Sequence, residues 1–323
     1  MSGTTQYTTF SDLHTGLQNA VRVTTGVTAT EDQAKRYINV ALQDMHLGYS
    51  ERFPWAERTS YLVTQPQYTT GTLTATKGST TITGSGTAWN TNNDFTVANM
   101  RAGGKIVISG GTEIYEISSV TNDTTAALSS KYIQTTVSVA SYLYFEDEYA
   151  LASDFLRPVD QRQFADSIEI ELIGRTEFRR RYPRPKITGR PEVATIYDKP
   201  FSGNTTPVRK VGFYKPPDQA YTIPYSYITS NLAVSSAGAA QTQMSAATDE
   251  PIVPLRYRHA LLLHALYNWY RDKKDDTRSA EVKSEYTDIM LRVISDNEIG
   301  ASRPNIRPRS YVYTRRARSP YRR

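Results

Sequence analysis

Few side chains in this 323-residue chain are placed to do chemistry. Its four histidines are His14, His46, His259 and His264. None belongs to a His-Glu-x-x-His pattern. His259 and His264 stand five apart, off the i,i+4 register that sets two metal ligands on one helical face. They read as structural histidines. There is no cysteine, which removes disulfides, thiolate metal sites and a cysteine nucleophile. Acids cluster at Glu146, Asp147 and Glu148, and again at Glu169 and Glu171. A carboxylate pair can act as acid and base in glycoside hydrolysis, but clustered acids are usually solvated, and solvation is expected here. Gly84-Ser-Gly86 is not a Gly-x-Ser-x-Gly elbow, and no Gly-x-x-x-x-Gly-Lys-Ser/Thr loop is present. These residues assign no catalytic group, no metal and no cofactor.

The chemistry that remains is cationic. The segment from 303 to 323 holds eight arginines (Arg303, Arg307, Arg309, Arg315, Arg316, Arg318, Arg322 and Arg323) and no acid. The net charge is +6, so the rest of the chain carries 6 − 8 = −2, and the basic character belongs to one short segment. Tyr311, Tyr313 and Tyr321 interleave with the arginines. Two readings stand: a solvated extension, or a segment that orders on a partner. Guanidinium forks pair with carboxylate or phosphate, and the tyrosines supply apolar anchors that a solubilising tail does not need. Arg179, Arg180 and Arg181 with Arg184 form a second candidate partner patch, which reads equally as an exposed charged face.

The elements that must position these groups follow from periodicity. Residues 10–24 predict a helix capped by Thr9 or Ser11, with Leu13, Leu17 and Val21 on one face. A stronger helix is expected over 31–49, because Ala34, Tyr37, Ile38, Ala41, Leu42, Met45 and Tyr49 repeat at helical spacing. Thr28-x-x-Glu31 and Thr30-x-x-Gln33 are capping-box patterns before it. From Thr59 the chain turns threonine- and glycine-rich, and about six short strands to Phe145 suggest a small barrel or sandwich. Strands at 168–172, 193–197, 211–214 and 220–228 are expected to pair as a second sheet. Residues 231–249 are small and polar and read as a loop, mobile or ordered only by a partner. Pro254 suits a first helical turn. Helices over 255–272 and 277–296, joined by Lys273-Lys274-Asp275-Asp276, form an antiparallel hairpin with Asp276 or Thr277 as cap. The fold class is therefore α+β. It has a helical bundle core of N-terminal helices plus the C-terminal hairpin, an inserted small all-β barrel or sandwich, and a second short antiparallel sheet. The boundaries expected are 1–58, 59–145, 146–298 and a basic tail, 299–323.

Tyrosine is abundant (23) and phenylalanine scarce (9), a balance that favours wet, half-buried interfaces. Met1-Ser-Gly-Thr-Thr-Gln6 lacks a signal-peptide pattern, and no apolar run approaches the roughly 18–20 residues that span a bilayer. A soluble protein made in a cytoplasm, without a membrane partner, is expected.

The order of parts carries a resemblance. A helical pair and a β insertion are followed by Tyr149-Ala-Leu-Ala-Ser-Asp-Phe155 and Gly189-Arg-Pro-Glu-Val-Ala-Thr-Ile-Tyr197. Then come Phe213-Tyr-Lys-Pro-Pro-Asp218, Tyr225-Ser-Tyr227 and Asp249-Glu-Pro-Ile-Val-Pro-Leu-Arg-Tyr257. Over most of residues 30–298 this resembles the head-to-tail adaptor (connector) proteins of tailed bacteriophages. Gly78-Ser-Thr-Thr-Ile-Thr-Gly-Ser-Gly-Thr-Ala-Trp89 also resembles a small β domain of phage virion proteins. The resemblance implies a ring of copies, commonly a dodecamer, docked under the portal, lengthening the channel for DNA and receiving tail, nozzle or fibre proteins. It implies a virion protein of the neck with a C-terminal segment reaching the portal. On that reading Arg303–Arg323, with its tyrosines, binds the portal, and DNA passes without specific binding. This chain is longer than the shortest adaptors, so its β insertion and arginine tail need their own explanation. The rival expectations are a tail-associated cell-wall hydrolase and a DNA-binding virion protein.

Overall fold

A capping box starts the first helix. The Thr9 hydroxyl accepts from the Asp12 N–H, and the Asp12 carboxylate accepts from the Thr9 N–H at 2.9 Å. Helix α1 (Phe10–Ala20) buries Phe10, Leu13 and Leu17, while Val21, expected on that face, is already the C-cap. The computed structural model describes residues 7–23, 27–49, 53–109, 111–159, 170–183, 185–200 and 207–301. These form two compact units, one drawn from residues up to 57 and from 229 onward, the other from 58–228. Helix α2 (Thr28–Tyr49) begins three residues before the expected start. Thr30 sits inside the first turn with its hydroxyl donating to the Val27 carbonyl at 2.8 Å, and Glu31 pairs with Lys35 one turn on. The stripe Ala34, Ile38, Ala41, Leu42 and Met45 is buried.

The second unit opens with β1 (Glu57–Val63). The threonine-rich region then forms β2 (Thr72–Ala75), β3 (Thr81–Ser85), β4 (Lys105–Ile108), β5 (Ile114–Asn122), β6 (Thr125–Leu128), β7 (Val137–Ala140) and β8 (Tyr142–Phe145). They make one sheet in the order β7-β2-β3-β6-β5-β4-β8. Its two outermost strands are consecutive in the chain, divided by Ser141, so one run edges both ends and the sheet curls into a half-barrel. Strands β2, β4 and β6 alternate partly buried and buried residues, the period a pleated surface dictates. Trp89, Ile82, Ile106, Tyr142 and Tyr144 lie in the core they enclose. Gly71 has φ +81, and a Cβ there would stand 2.6 Å from the Ser85 carbonyl oxygen, so this turn needs glycine.

The chain continues through β9 (Glu148–Ala150), β10 (Phe155–Pro158), β11 (Glu171–Leu172), helix α3 (Arg175–Arg181), β12 (Val193–Pro200), β13 (Pro207–Tyr214) and β14 (Thr222–Thr229). The second sheet is β11-β12-β13-β9, antiparallel except for the β11–β12 pair. The fourth expected member, β14, is elsewhere, between β1 and β10. The reason lies in what each edge meets. The free edge of β13 is taken by β9, pairing Val211 with Tyr149, as the chain leaves the half-barrel. The Tyr227 ring of β14 stacks on Phe155 of β10 at 5.3 Å.

Residues 231–249 are ordered by their own unit rather than by a partner. They give β15 (Ala233–Val234) and β16 (Ala240–Gln241), which join β17 (Glu250–Pro251) in a small sheet. Asn39 of α2 exchanges two hydrogen bonds with the Met244 backbone, at 2.9 and 3.1 Å, and the Met244 side chain is buried. Asp249 accepts from the Ser245 and Ala246 N–H groups at 2.7 Å, and the Ser245 bond foremost holds its pKa below the usual carboxylate range. After Pro254 one 3₁₀ turn leads into α4 (Arg258–Asp272). Its Ala260, Leu261, Leu262, Leu263, Ala265, Leu266 and Trp269 are all buried, whereas Leu255, expected on that stripe, is 37% exposed. The Trp269 ring meets Tyr37 of α2 edge-on at 5.7 Å. Helix α5 (Asp276–Ala301) is capped by Asp275, one residue earlier than expected, whose carboxylate accepts from the Arg278 N–H. Met290, Val293 and Ile294 bury its inner face.

Candidate functional site: a cation-lined polar cavity

Arginine and glutamate are good helix formers. Residues 175–181 use them in one short helix with Glu177 and Arg181 paired at 2.5 Å and Phe178 against Tyr182. Pro183 follows and cannot continue it. Of the second candidate patch, Arg179, Arg180 and Arg181 lie exposed on α3, and Arg184 falls outside the described residues. Arg181 is engaged by Glu177, while Arg179 lines a cavity of about 160 Å³. Arg175, which the sequence did not single out, lines it too, with its guanidinium 4.1 Å from the centre of the Tyr197 ring.

The cavity exists because of a gap in a row of side chains. Thr195 on β12 pairs with Gly212 on β13, and Gly212 pairs with Glu148 on β9. The glycine leaves open the middle of that row, and a Cβ there would come 3.3 Å from the Tyr197 ring. Lys105 and Asp147 complete the polar lining, with Phe178, Tyr182 and Phe213 as apolar wall.

The acids at 146–148, expected to be solvated, are not. Glu146 and Asp147 are each 6% exposed. The correction has a physical cause: each acid has its own cation, so burial is tolerated. Arg101 forms a two-pronged pair with Glu146, which also accepts from the Tyr144 hydroxyl at 2.8 Å. Lys105 reaches Asp147 Oδ2 at 2.5 Å, and Lys199 reaches Glu148 at 2.7 Å. Two atoms of the cavity are left over: Asp147 Oδ1 and the Thr195 hydroxyl are buried and have no hydrogen-bond partner.

Burial raises the pKa of Asp147, and the Lys105 charge and hydrogen bond only partly offset it. Burial pushes Glu148 the same way, but hydrogen bonds from Lys199 and Tyr197, with the two lysine charges, outweigh it and leave a lowered pKa. A group whose folded pKa is raised contributes stability that is complete below its unfolded pKa and is lost as pH rises through the folded value. Asp147→Asn should therefore gain on the wild type as pH rises above the ordinary aspartate range, by about 1.4 kcal/mol per unit of raised pKa. Urea midpoints of both proteins from acid to neutral pH test this. A gap that does not widen with pH refutes it.

Every member of the tail set, Arg303, Arg307, Arg309, Tyr311, Tyr313, Arg315, Arg316, Arg318, Tyr321, Arg322 and Arg323, lies outside the described residues. Of the histidines, His46 Nε2 is 2.7 Å from the Thr229 carbonyl, and His264 packs on the Tyr286 ring at 4.7 Å. Among the described residues no three His, Asp or Glu side chains converge as a metal site, and no helix is long and apolar enough to cross a membrane. No protein-family model matches the chain, and no curated protein matches it.

Proposed function

We propose that the chain is a non-enzymatic structural subunit of a virion, a head-to-tail adaptor whose copies close into a ring beneath the portal of a tailed bacteriophage. The observation that carries this reading is the construction of the helical unit. The first and last described helices of the chain meet in it, α1 and α2 against α4, and α4 against α5, and the β structure of residues 58–228 is inserted in the chain between them. That is the arrangement the ordered motifs of the adaptor family lead one to expect. A head-to-tail contact between identical subunits closes into a ring when the rotation per copy divides a full turn. The segment from Arg303 to Arg323 fastens the ring to an acidic surface of the portal. The body, at −2 once that segment is removed, presents no bulk positive charge to hold passing DNA. The half-barrel faces tail, nozzle or fibre proteins.

Particles assembled with the full chain and with a chain ending at Ser302 provide the test. Electron micrographs of the former should show a ring at the neck, and the truncated chain should fold yet be missing from particles. One or two copies per particle, or normal incorporation of the truncated chain, overturns the reading. A second reading, a cell-wall hydrolase, is favoured by the opposite pKa shifts of the neighbouring Asp147 and Glu148. Against it, both carboxylates are tied to lysines. Clearing of peptidoglycan in a zymogram, lost in Asp147→Asn, would decide for it.

A further inference from the structure

We propose that the cavity under α3 binds a protonated phosphate group, either inorganic phosphate or the monoester end of a larger molecule. The inference makes no use of the ring. It rests on the match between what the cavity leaves unsatisfied and what that group carries.

Three cations line the cavity, Lys105, Arg175 and Arg179, against two acids, Asp147 and Glu148, so its lining carries 3 − 2 = +1. Both acids already hold a lysine. Arg175 and Arg179 are paired with no carboxylate among the described residues, and they sit one turn apart on α3, on one face of it. An oxyanion is the complement of two such forks. Deeper in, the demand changes sign. Asp147 Oδ1 is an acceptor with no donor, held in place because Oδ2 is fixed by Lys105. The Thr195 hydroxyl, from another residue of the lining, can give or take one hydrogen bond. A buried carboxylate oxygen left without a donor is costly. The ligand must therefore bring negative charge for the arginines and at least one O–H for Asp147. Near neutral pH inorganic phosphate has both on one tetrahedral centre, as monoanion or as dianion; a monoester has both only as its monoanion, held below a second pKa of about 6, and a phosphodiester has no O–H to give. The space is adequate, since about 160 Å³ exceeds many times the roughly 10–15 Å³ that one water needs.

Sulfate has nearly the same size and shape but no proton at neutral pH, so it would set a bare oxygen against Asp147 Oδ1. Phosphate and sulfate titrated by calorimetry into the full-length protein at pH 7 and matched ionic strength therefore separate a built site from mere positive surface. Phosphate should bind with a dissociation constant at least about tenfold below that of sulfate, the worth of one charge-assisted hydrogen bond made or missed. Asp147→Asn offers an N–H where the carboxylate stood, and should bring sulfate to parity or better. Arg179→Gln, at an exposed position that leaves the core untouched, should weaken phosphate about tenfold. Phenyl phosphate decides the source when compared with inorganic phosphate at about pH 5.5, where the monoester keeps one O–H: binding as tight as inorganic phosphate marks a monoester, and its exclusion marks free phosphate. Equal affinity of the wild type for phosphate and sulfate, or no saturable phosphate binding at millimolar concentration, overturns the proposal. So does an unchanged affinity in Arg179→Gln. If Asp147→Asn does not fold, the wild-type preference and Arg179→Gln decide alone.

Discussion

Arg258→Met should cost the helical unit about 3–5 kcal/mol, the range for removing one partner from a buried charged network. The Arg258 side chain, on the first residue of α4, is only 8% exposed. Its Nε donates to the Val253 carbonyl at 2.9 Å and its Nη2 to the Pro251 carbonyl at 3.2 Å. Nη1 donates to the carbonyls of Thr8 and Tyr7, at the start of the described chain. Glu250 adds a salt bridge at 3.0 Å, but its side chain is 47% exposed and that pair is worth little. The carbonyls decide the outcome. A buried ion pair can often be exchanged for apolar side chains without loss, because both charges leave together. Here the acceptors are backbone, cannot be mutated away, and are left unsatisfied when the guanidinium goes. Arg258→Lys should recover only part of the loss, since one ammonium cannot span carbonyls from residues 7 and 8 and from 251 and 253. Urea unfolding followed by Trp55 and Trp269, both in the helical unit, measures it once Trp89 is replaced by Phe. A loss below about 1 kcal/mol for Met would mean that water satisfies those carbonyls.

That network shows where sequence reading stops. The stripe of α2 is legible because Ala34, Ile38, Ala41, Leu42 and Met45 repeat at the helix period and need only some apolar partner. α4 is legible for the same reason. Alternation and turn glycines likewise announce the strands between 72 and 145. What alternation cannot announce is that β7 and β8 are one run edging both ends of a curled sheet, because pairing partners are a long-range property. Residues 231–249 look like free loop since their ordering contacts, from Asn39 and to Asp249, are single polar side chains with no period. The cavity is harder still. Lys105, Asp147, Arg175, Thr195 and Gly212 are spread over more than a hundred positions and share no spacing. That Glu146 and Asp147 are buried and Glu148 half-buried follows from three cations, Arg101, Lys105 and Lys199, that only the fold brings to them. The one local signal was α3 itself, where Glu177 and Arg181 stand at i,i+4 and Pro183 closes the run.

Trp89→Ala should destabilise the half-barrel by about 3–5 kcal/mol, against about 1 kcal/mol for Trp89→Phe. Trp89 is wholly buried, and the passage from Gly78 that it ends is one the sequence already marked as a module. Its ring meets Tyr142 edge-on at 6.0 Å, and its indole N–H donates to the Tyr142 hydroxyl at 2.9 Å. That hydroxyl donates onward to the Thr70 carbonyl at 2.6 Å, so the indole fastens β8 to the chain entering β2 through one shared oxygen. Phe keeps most of the ring volume and removes the donor. Tyr142 still donates to Thr70 and loses only a bond that it accepts, hence the small cost. Ala removes the ring as well and leaves a cavity beside Tyr142, in a close-packed core that collapses into it only in part. Far-UV circular dichroism of urea unfolding gives both numbers without relying on the fluorophore that is removed. If Phe and Ala cost the same, the hydrogen bond rather than the packing holds the half-barrel together, and its core is looser than the burial of Trp89 implies.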